Sequence, residues 1–296
     1  MAGGRSLEGK AIVITGAGRG LGATYARCVT AEGAAVVVND IDAASAGAVA
    51  AEIWAAGGRA VAAPGDVASW SFAAALIERC MDEFGGIDGL VNNAGILRPA
   101  RIEDITEADL RRMIEVNLVG TMACGLAAAK HMLRQGRGAI VNVASGSQTG
   151  DIALSAYGAT KGAIASLTYA WAVECAGRGV RVNAVSPLAD TDMAKANAKF
   201  LAEQSAHRDV AYASLPPPES NAPVVAYLLS DRAAGVNGQV VRIAGRALSF
   251  VTHPMIASPV LDGEWTLDAV AEAFEATLAG RQLPLGLTYA DRAGSR

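Results

Sequence analysis

Tyr157 and Lys161 stand four residues apart, so on a helix they share one face, one turn from each other. A phenol with a pKa of about 10 is a poor base at neutral pH, and bringing it to about 7 requires about 4 kcal/mol. A cation about 4 Å away at an effective dielectric of about 20 supplies an interaction of that size. The pair reads as an acid/base device for taking a proton from a hydroxyl group, or returning one. Ser145 adds a hydroxyl directly behind a β-branched run, and Asn92-Asn93-Ala94-Gly95 closes another such run. Ser147, two residues on, is an alternative to Ser145.

A second constellation precedes these. Thr15-Gly16-Ala17-Gly18-Arg19-Gly20-Leu21-Gly22 follows an apolar run and leads into a helical stretch. Glycines let a backbone turn tightly against a pyrophosphate, and a helix N-terminus offers it unpaired N–H groups. About twenty residues further on, the next run ends in Asn39-Asp40, where a carboxylate would accept hydrogen bonds from the adenosine ribose hydroxyls and repel a 2′-phosphate. That favours NAD over NADP, although Arg19 could assist a phosphate. Asp66-Val67 follows a third run and is placed to contact the adenine.

The elements that must hold these residues are short apolar runs alternating with Ala-rich helical stretches. The runs are Ala11–Thr15, Ala35–Asn39, Arg59–Ala63, Gly89–Asn92, Ala139–Val143, Val180–Ala184 and Gln239–Ile243. Seven uniformly apolar strands with helix-length spacers predict an α/β, Rossmann-type, doubly wound parallel sheet with helices on both faces. Ligands in such sheets sit beyond the carboxyl ends of the strands, where all the residues above fall. The expected organisation is a catalytic domain over 1–247 and a C-terminal extension over 248–296, packed on the domain or on a neighbouring subunit. Residues 188–222 lack a clear strand, end in Pro216-Pro217-Pro218 and read as an irregular substrate loop. Its Met193, Phe200, Leu201, Tyr212 and Leu215 suit an apolar ligand. In the extension, Leu267, Val270, Ala271, Phe274 and Leu278 fall at helical spacing behind Thr266, a fitting N-cap, and that stripe must be buried on something.

Composition narrows the function classes. The chain has 296 residues, 52% hydrophobic and 18% charged, which excludes disorder and a disulfide-stapled miniprotein. A net charge of −4 without basic clusters gives no case for nucleic acid or an anionic membrane as partner. Cys28, Cys80, Cys124 and Cys175 form no CxxC pair, and His131, His207 and His253 are scattered, so neither a metal site nor a Ser-His-Asp hydrolase is expected. The first residues lack the apolar core of a signal peptide, and the longest apolar stretch, 118–129, is short of the roughly twenty residues a spanning helix needs. A cytoplasmic protein is expected.

Taken together, TGxxxGxG at Thr15 to Gly22, NNAG at 92–95, Asn117, Ser145 and YxxxK at Tyr157 to Lys161 resemble the short-chain dehydrogenase/reductase (SDR) family, in order over about residues 5–245. The resemblance implies an NAD(H)-dependent oxidoreductase that interconverts a secondary alcohol and a ketone. It implies Tyr157 as acid/base, Lys161 as the ribose-binding cation, Ser145 as hydrogen-bond donor to the substrate oxygen and Asn117 as a relay to solvent. It also implies cofactor contacts from the glycine loop, Asp40, Asp66, Val67, Asn93, Ala94, Gly95, Tyr157, Lys161, Pro187 and Thr191. Two departures stand out. Ser145 and Tyr157 are twelve apart where the family most often has thirteen, and Leu188 replaces the glycine usual after Pro187, which leaves the backbone path to Thr191 open. The helical tail after His253-Pro254 resembles extensions of hydroxyacyl-CoA dehydrogenases, so a 3-hydroxyacyl-CoA or a hydroxysteroid-like alcohol is the expected substrate class. Small residues along the catalytic helix let it approach a neighbour closely, and the resemblance, in which the equivalent helix pairs across a two-fold axis, implies a homodimer or homotetramer. The alternatives are a catalytically silent NAD(H)-binding sensor and an NADP-dependent ketoreductase.

Overall fold

A run such as Ala11-Ile12-Val13-Ile14 has no polar face, so it is stable as a strand only where helices cover both sides. The computed structural model, which describes residues 5–204, 215–283 and 285–288, places it at the centre of an eight-stranded sheet. The strands are β1 (Ala11–Ile14), β2 (Ala35–Val38), β3 (Arg59–Ala62), β4 (Gly89–Asn92), β5 (Gly138–Val143), β6 (Val180–Leu188), β7 (Val240–Ala244) and β8 (Ala247–Val251), in the order β3-β2-β1-β4-β5-β6-β7-β8. The seven expected strands are parallel to one another. Chain order reverses between β1 and β4, which opens a crevice beyond their carboxyl ends.

Successive strand residues point to opposite faces, and this alternation divides the core in two. Ile12, Ile14, Val36, Val38, Val91 and Val141 pack with α1 (Gly20–Ala31), α2 (Ala43–Ala55) and α8 (Ala222–Leu229). Val13, Val37, Leu90, Ile140 and Val182 pack on the other side with α3 (Trp70–Phe84), α5 (Gly120–Gln135) and α6 (Ser155–Glu174). Each fully buried aliphatic side chain contributes about 1.5–3 kcal/mol. A Cβ on Gly125 of α5 would run into the Trp171 ring of α6, so that helix pair depends on the missing side chain. The helical stretch 107–135, which contains α5, is long and apolar enough by composition to cross a membrane, but half of its most apolar window is buried in this fold.

Two local features differ from the sequence reading. The sheet has an eighth strand: β8 folds back antiparallel on β7 through a tight turn at Gly245-Arg246. Its Leu248 and Phe250 stay exposed, so it lacks the uniformly apolar signature of the buried strands. The segment 188–222 is not irregular throughout, because β6 runs on through Leu188 and α7 (Asp192–Gln204) follows. His207 and Tyr212 lie outside the described residues.

The chain divides into two compact units, Met1–Val251 and Thr252–Arg296. In the second unit the Thr266 hydroxyl accepts the Ala269 N–H and starts α9 (Leu267–Ala273), which continues as a π-helical turn over Phe274–Leu278. No residue of either segment is buried, and Leu267 is 85% exposed.

Candidate active site

The crevice between β1 and β4 is built by packing that only glycine permits. Gly16 has φ +60°, and a Cβ there would lie 2.8 Å from the Ala94 Cα. At Gly22 a Cβ would collide with the Gly16 carbonyl oxygen and the Asn93 amide. The glycine turn is bolted to the end of β4 by Thr15, whose hydroxyl donates to the Val91 carbonyl and accepts the Asn93 and Ala94 N–H groups, both at 3.0 Å. Asn93 returns the link, its Nδ2 donating to the Thr15 and Gly16 carbonyls at 2.9 Å. α1 begins at Gly20 with no side-chain cap from the exposed Arg19, and Leu21 leans on the core. Its first N–H groups are thus free for an anion.

Asp40 sits half-buried beyond β2, and its carboxylate accepts the Gly18 N–H at 3.0 Å and the Asp42 N–H at 3.1 Å. Asp42 caps α2, and its carboxyl is held low by the Ser45 hydroxyl, by the Ala44 and Ser45 N–H groups and by Arg19. Burial pushes Asp66 up, but the Ala68 N–H and the Arg112 guanidinium at 3.0 Å outweigh it and leave the carboxyl below its ordinary value. Val67 is buried where a Cβ on Gly120 would meet it. These residues, with the glycine turn and the uncapped helix, form a cradle that fits a dinucleotide.

On the other side of the crevice, Lys161 is 3% exposed and its Nζ donates to the Val143 carbonyl at 2.7 Å. It lies 5.6 Å from the centre of the Tyr157 ring. Burial lowers the ammonium pKa to about 8 and pushes the Tyr157 phenol up to about 12, while interaction with the Ser145 hydroxyl acts on the phenol in the opposite direction. Ser145 ends the loop from β5 and caps a short 3₁₀ turn, Gly146–Thr149. Its Oγ accepts hydrogen bonds from the Ser147 N–H at 3.2 Å and the Ser147 hydroxyl at 3.0 Å.

Asn117 is fully buried, in a π-helical turn (Ile114–Val119) between α4 (Glu107–Met113) and α5 rather than in a regular helix. Its Oδ1 accepts the Ile96 N–H at 2.8 Å, and its Nδ2 donates to the Ile96 carbonyl and to Thr160 Oγ1. A Cβ on Gly95 would lie 3.3 Å from Asn117 Oδ1 and 3.7 Å from Lys161 Nζ, so these three converge. Pro187 pairs with Ile243 inside the sheet. Thr191 accepts the Ala194 N–H at the start of α7, and its Cγ2 lies 4.0 Å from where a Cβ on Gly20 would be. Continuing β6 through Leu188 thus still brings Thr191 back to the glycine loop.

Some contributors carry no sequence signal. Thr160 meets Asn117 only because α6 packs on the π turn, and Arg242 of β7 holds the end of β6 by donating to Ser186 Oγ and to the Ser186 and Pro187 carbonyls. Arg112 could have been suspected from its place two residues before the π turn, but its partner Asp66 is 46 residues away.

The family model described as short chain dehydrogenase matches residues 10–202. The chain is 40% identical over 246 residues to cis-4-hydroxycyclohexanecarboxylate dehydrogenase of Sinomonas cyclohexanicum, covering 82% of this chain and 98% of that protein. The crystal structure of a short chain dehydrogenase from Mycobacterium avium is similar with a TM-score of 0.82 at 34% identity, over 96% of this chain and 99% of that one. A gluconate 5-dehydrogenase from Burkholderia cenocepacia J2315, in complex with NADP and tartrate, is similar with a TM-score of 0.73 at 31% identity, over 82% of this chain and 96% of that one.

Proposed function

The chain belongs to the short chain dehydrogenase family, and from that premise we propose that it interconverts a secondary alcohol and a ketone with NAD(H), with Tyr157 as acid/base. That it is an oxidoreductase acting on alcohol or ketone groups, and that it uses a nicotinamide cofactor, follows from the family. The observation that carries the finer reading is a buried ammonium, Lys161, beside a half-buried phenol, Tyr157, on one helix face.

The residues divide the work. Burial pushes the Tyr157 phenol further from ionisation, up to about 12, which suits it to give a proton to a ketone oxygen but not to take one. To act as base it needs positive charge nearby. Lys161, with a pKa of about 8, is mostly protonated at pH 7 and supplies that charge. When bound, the nicotinamide accepts or returns the hydride and, in its oxidised form, adds a second positive charge. Ser145 is placed to donate a hydrogen bond to the substrate oxygen, and Asn117 holds the Ile96 backbone and α6 in register around it. The cradle of Gly16, Gly18, Gly20, Gly22, Asn93, Ala94 and Gly95 would hold the pyrophosphate and ribose, with Asp66, Val67, Pro187 and Thr191 at the two ends.

Asp40 supports NAD: its fixed negative charge beside Gly18 opposes a 2′-phosphate. For the substrate, the half-buried Met193 and Phe200 and the buried Leu201 of α7 support an apolar skeleton, such as a 3-hydroxyacyl-CoA or a hydroxysteroid-like alcohol. The relative from Sinomonas cyclohexanicum is named for a cyclic secondary alcohol, which fits the same class. We further propose that the enzyme works as a homodimer or homotetramer, with an extension to the catalytic domain that begins after β8, at 252 rather than at the expected 248.

The test is NADH formation from NAD⁺ over a 3-hydroxyacyl-CoA, a hydroxysteroid and cyclohexanol, with Tyr157→Phe as control. Turnover that disappears in the variant is the expected result. Turnover retained by Tyr157→Phe, or found with NADP⁺ in preference to NAD⁺, overturns the acid/base or the cofactor assignment respectively.

A further inference from the structure

We propose that Ser147 is a positioning residue that holds Ser145 as an obligate hydrogen-bond donor toward the reacting oxygen. The inference rests on the acid/base reading of Tyr157 and extends it to a residue outside the Ser, Tyr, Lys and Asn set.

A serine hydroxyl has one proton and two acceptor lone pairs. At Ser145 both acceptor positions are filled by one residue, through the Ser147 N–H at 3.2 Å and the Ser147 hydroxyl at 3.0 Å. Ser147 is 7% exposed, so bulk water does not compete for its hydroxyl. What remains to Ser145 is its own proton, and the partner on its free side is the Tyr157 phenol or a substrate oxygen near it. The distinction decides the chemistry. A Ser145 that donates stabilises a phenolate or a developing alkoxide, whereas one that accepts from Tyr157 stabilises the neutral phenol.

Ser147 is itself held from behind. Its carbonyl accepts the Gly150 N–H at 3.0 Å and lies only 2.6 Å from where a Cβ on Gly158 would be, so the turn rests directly on α6 at the residue after Tyr157. The twelve-residue span from Ser145 to Tyr157 is closed by Gly150 at φ +103° and by Ala153 at φ +61°, a conformation a non-glycine residue seldom adopts. This short connection presses Ser147 onto the glycine and leaves its side chain aimed at Ser145. Among the described residues the charged group over the Tyr157 ring is Lys161, which none of the substitutions below touches.

The experiment compares wild type, Ser147→Ala and Ser147→Thr, with Tyr157→Phe as reference. The phenolate of Tyr157 is titrated by ultraviolet difference absorbance against Tyr157→Phe in stopped-flow pH jumps with NAD⁺ bound, and oxidation of cyclohexanol is followed alongside. Losing one hydrogen bond of about 1.4 kcal/mol raises the titration midpoint in Ser147→Ala by about one unit and lowers kcat about tenfold, with KM for NAD⁺ unchanged. Ser147→Thr, which keeps the hydroxyl, restores both. A midpoint that does not move in Ser147→Ala overturns the proposal, and because the titration needs no substrate it decides even where cyclohexanol is not turned over. If Tyr157→Phe turns cyclohexanol over like wild type, the acid/base reading fails as a whole. If that variant is dead while Ser147→Ala is unchanged, only the role of Ser147 fails.

Discussion

The Asp40 carboxylate and the Gly18 N–H meet at 3.0 Å, which makes the acid after β2 and the glycine loop after β1 one rigid piece. Asp42 completes it by donating its own N–H to the other carboxylate oxygen. A negative charge is therefore held beside the loop, and on the reading proposed above it opposes a 2′-phosphate.

Asp40→Ala removes that charge. At about 5–6 Å and an effective dielectric of about 20, repulsion between unit charges is about 3 kcal/mol, and solvent reduces it. The expected outcome is a rise of about tenfold or more in kcat/KM for NADPH relative to NADH. Steady-state kinetics with both cofactors checks it, and an unchanged ratio would show that Asp40 does not set the preference.

Gly22→Ala introduces a Cβ into the space held by the Gly16 carbonyl oxygen and the Asn93 amide. The first is backbone and the second is tied down by its bonds to the Thr15 and Gly16 carbonyls, so the loop must move. Overpacking of this kind costs about 1–3 kcal/mol, and here it falls on the cradle. NADH should bind about tenfold more weakly or worse in a fluorescence titration, with a lower melting temperature. Unaltered binding would place the cofactor elsewhere.

Lys161→Met replaces the buried ammonium by an apolar chain of similar length. In wild type the amine titrates at about 8 when folded and near its ordinary 10.5 when unfolded. Between those values the unfolded chain binds more protons, so this group makes wild-type stability rise with pH, by up to about 1.4 kcal/mol per pH unit. The variant lacks that slope, so denaturant unfolding from pH 8 to 10 should show wild type gaining on Lys161→Met. A difference that stays flat would mean that the lysine titrates normally. The variant should also lose about a hundredfold or more in turnover at pH 7, since the phenol loses its cation.

Arg112→Ala breaks the pair with Asp66, whose partners are more than a third exposed. Such a pair contributes less than about 1 kcal/mol at neutral pH and is weakened by salt. Because the Asp66 carboxyl is held below its ordinary 3.8, that contribution is present above this value and disappears as pH falls through the folded value. Unfolding midpoints of wild type and Arg112→Ala should differ at pH 7 and converge in acid. Equal midpoints at pH 7 and low salt would show that the pair contributes nothing.

The architecture is legible in the sequence where burial is two-sided. Runs such as Ala35–Val38 are apolar at every position because helices cover both faces, and that pattern has few other solutions. β8 escapes it because Leu248 and Phe250 alternate with Ser249 on an exposed strand, and α7 escapes because only Asn197 and Leu201 of its described side chains are buried. At the candidate site, Tyr157 and Lys161 are readable because four residues on one helix fix a distance. The convergence of Gly95, Asn117 and Lys161 is not, since it depends on a π turn and on α6 packing across it. The two hydrogen bonds from Ser147 to Ser145 likewise exist only once the 3₁₀ turn has formed.

The β7–β8 hairpin bears on how the molecule opens. Without β8, β7 would end the sheet with one side of its backbone unpaired, and its amides would exchange with solvent through local fraying. Pairing over Val240–Ala244 with Ala247–Val251 gives β7 a neighbour on each side. Deuterium uptake at Val241 and Ile243 should then follow the slow, cooperative opening of the central sheet, and the fast-exchanging margin shifts outward to β8. On that expectation the strand whose Arg242 holds the Ser186-Pro187 end of β6 belongs to the last region to come apart.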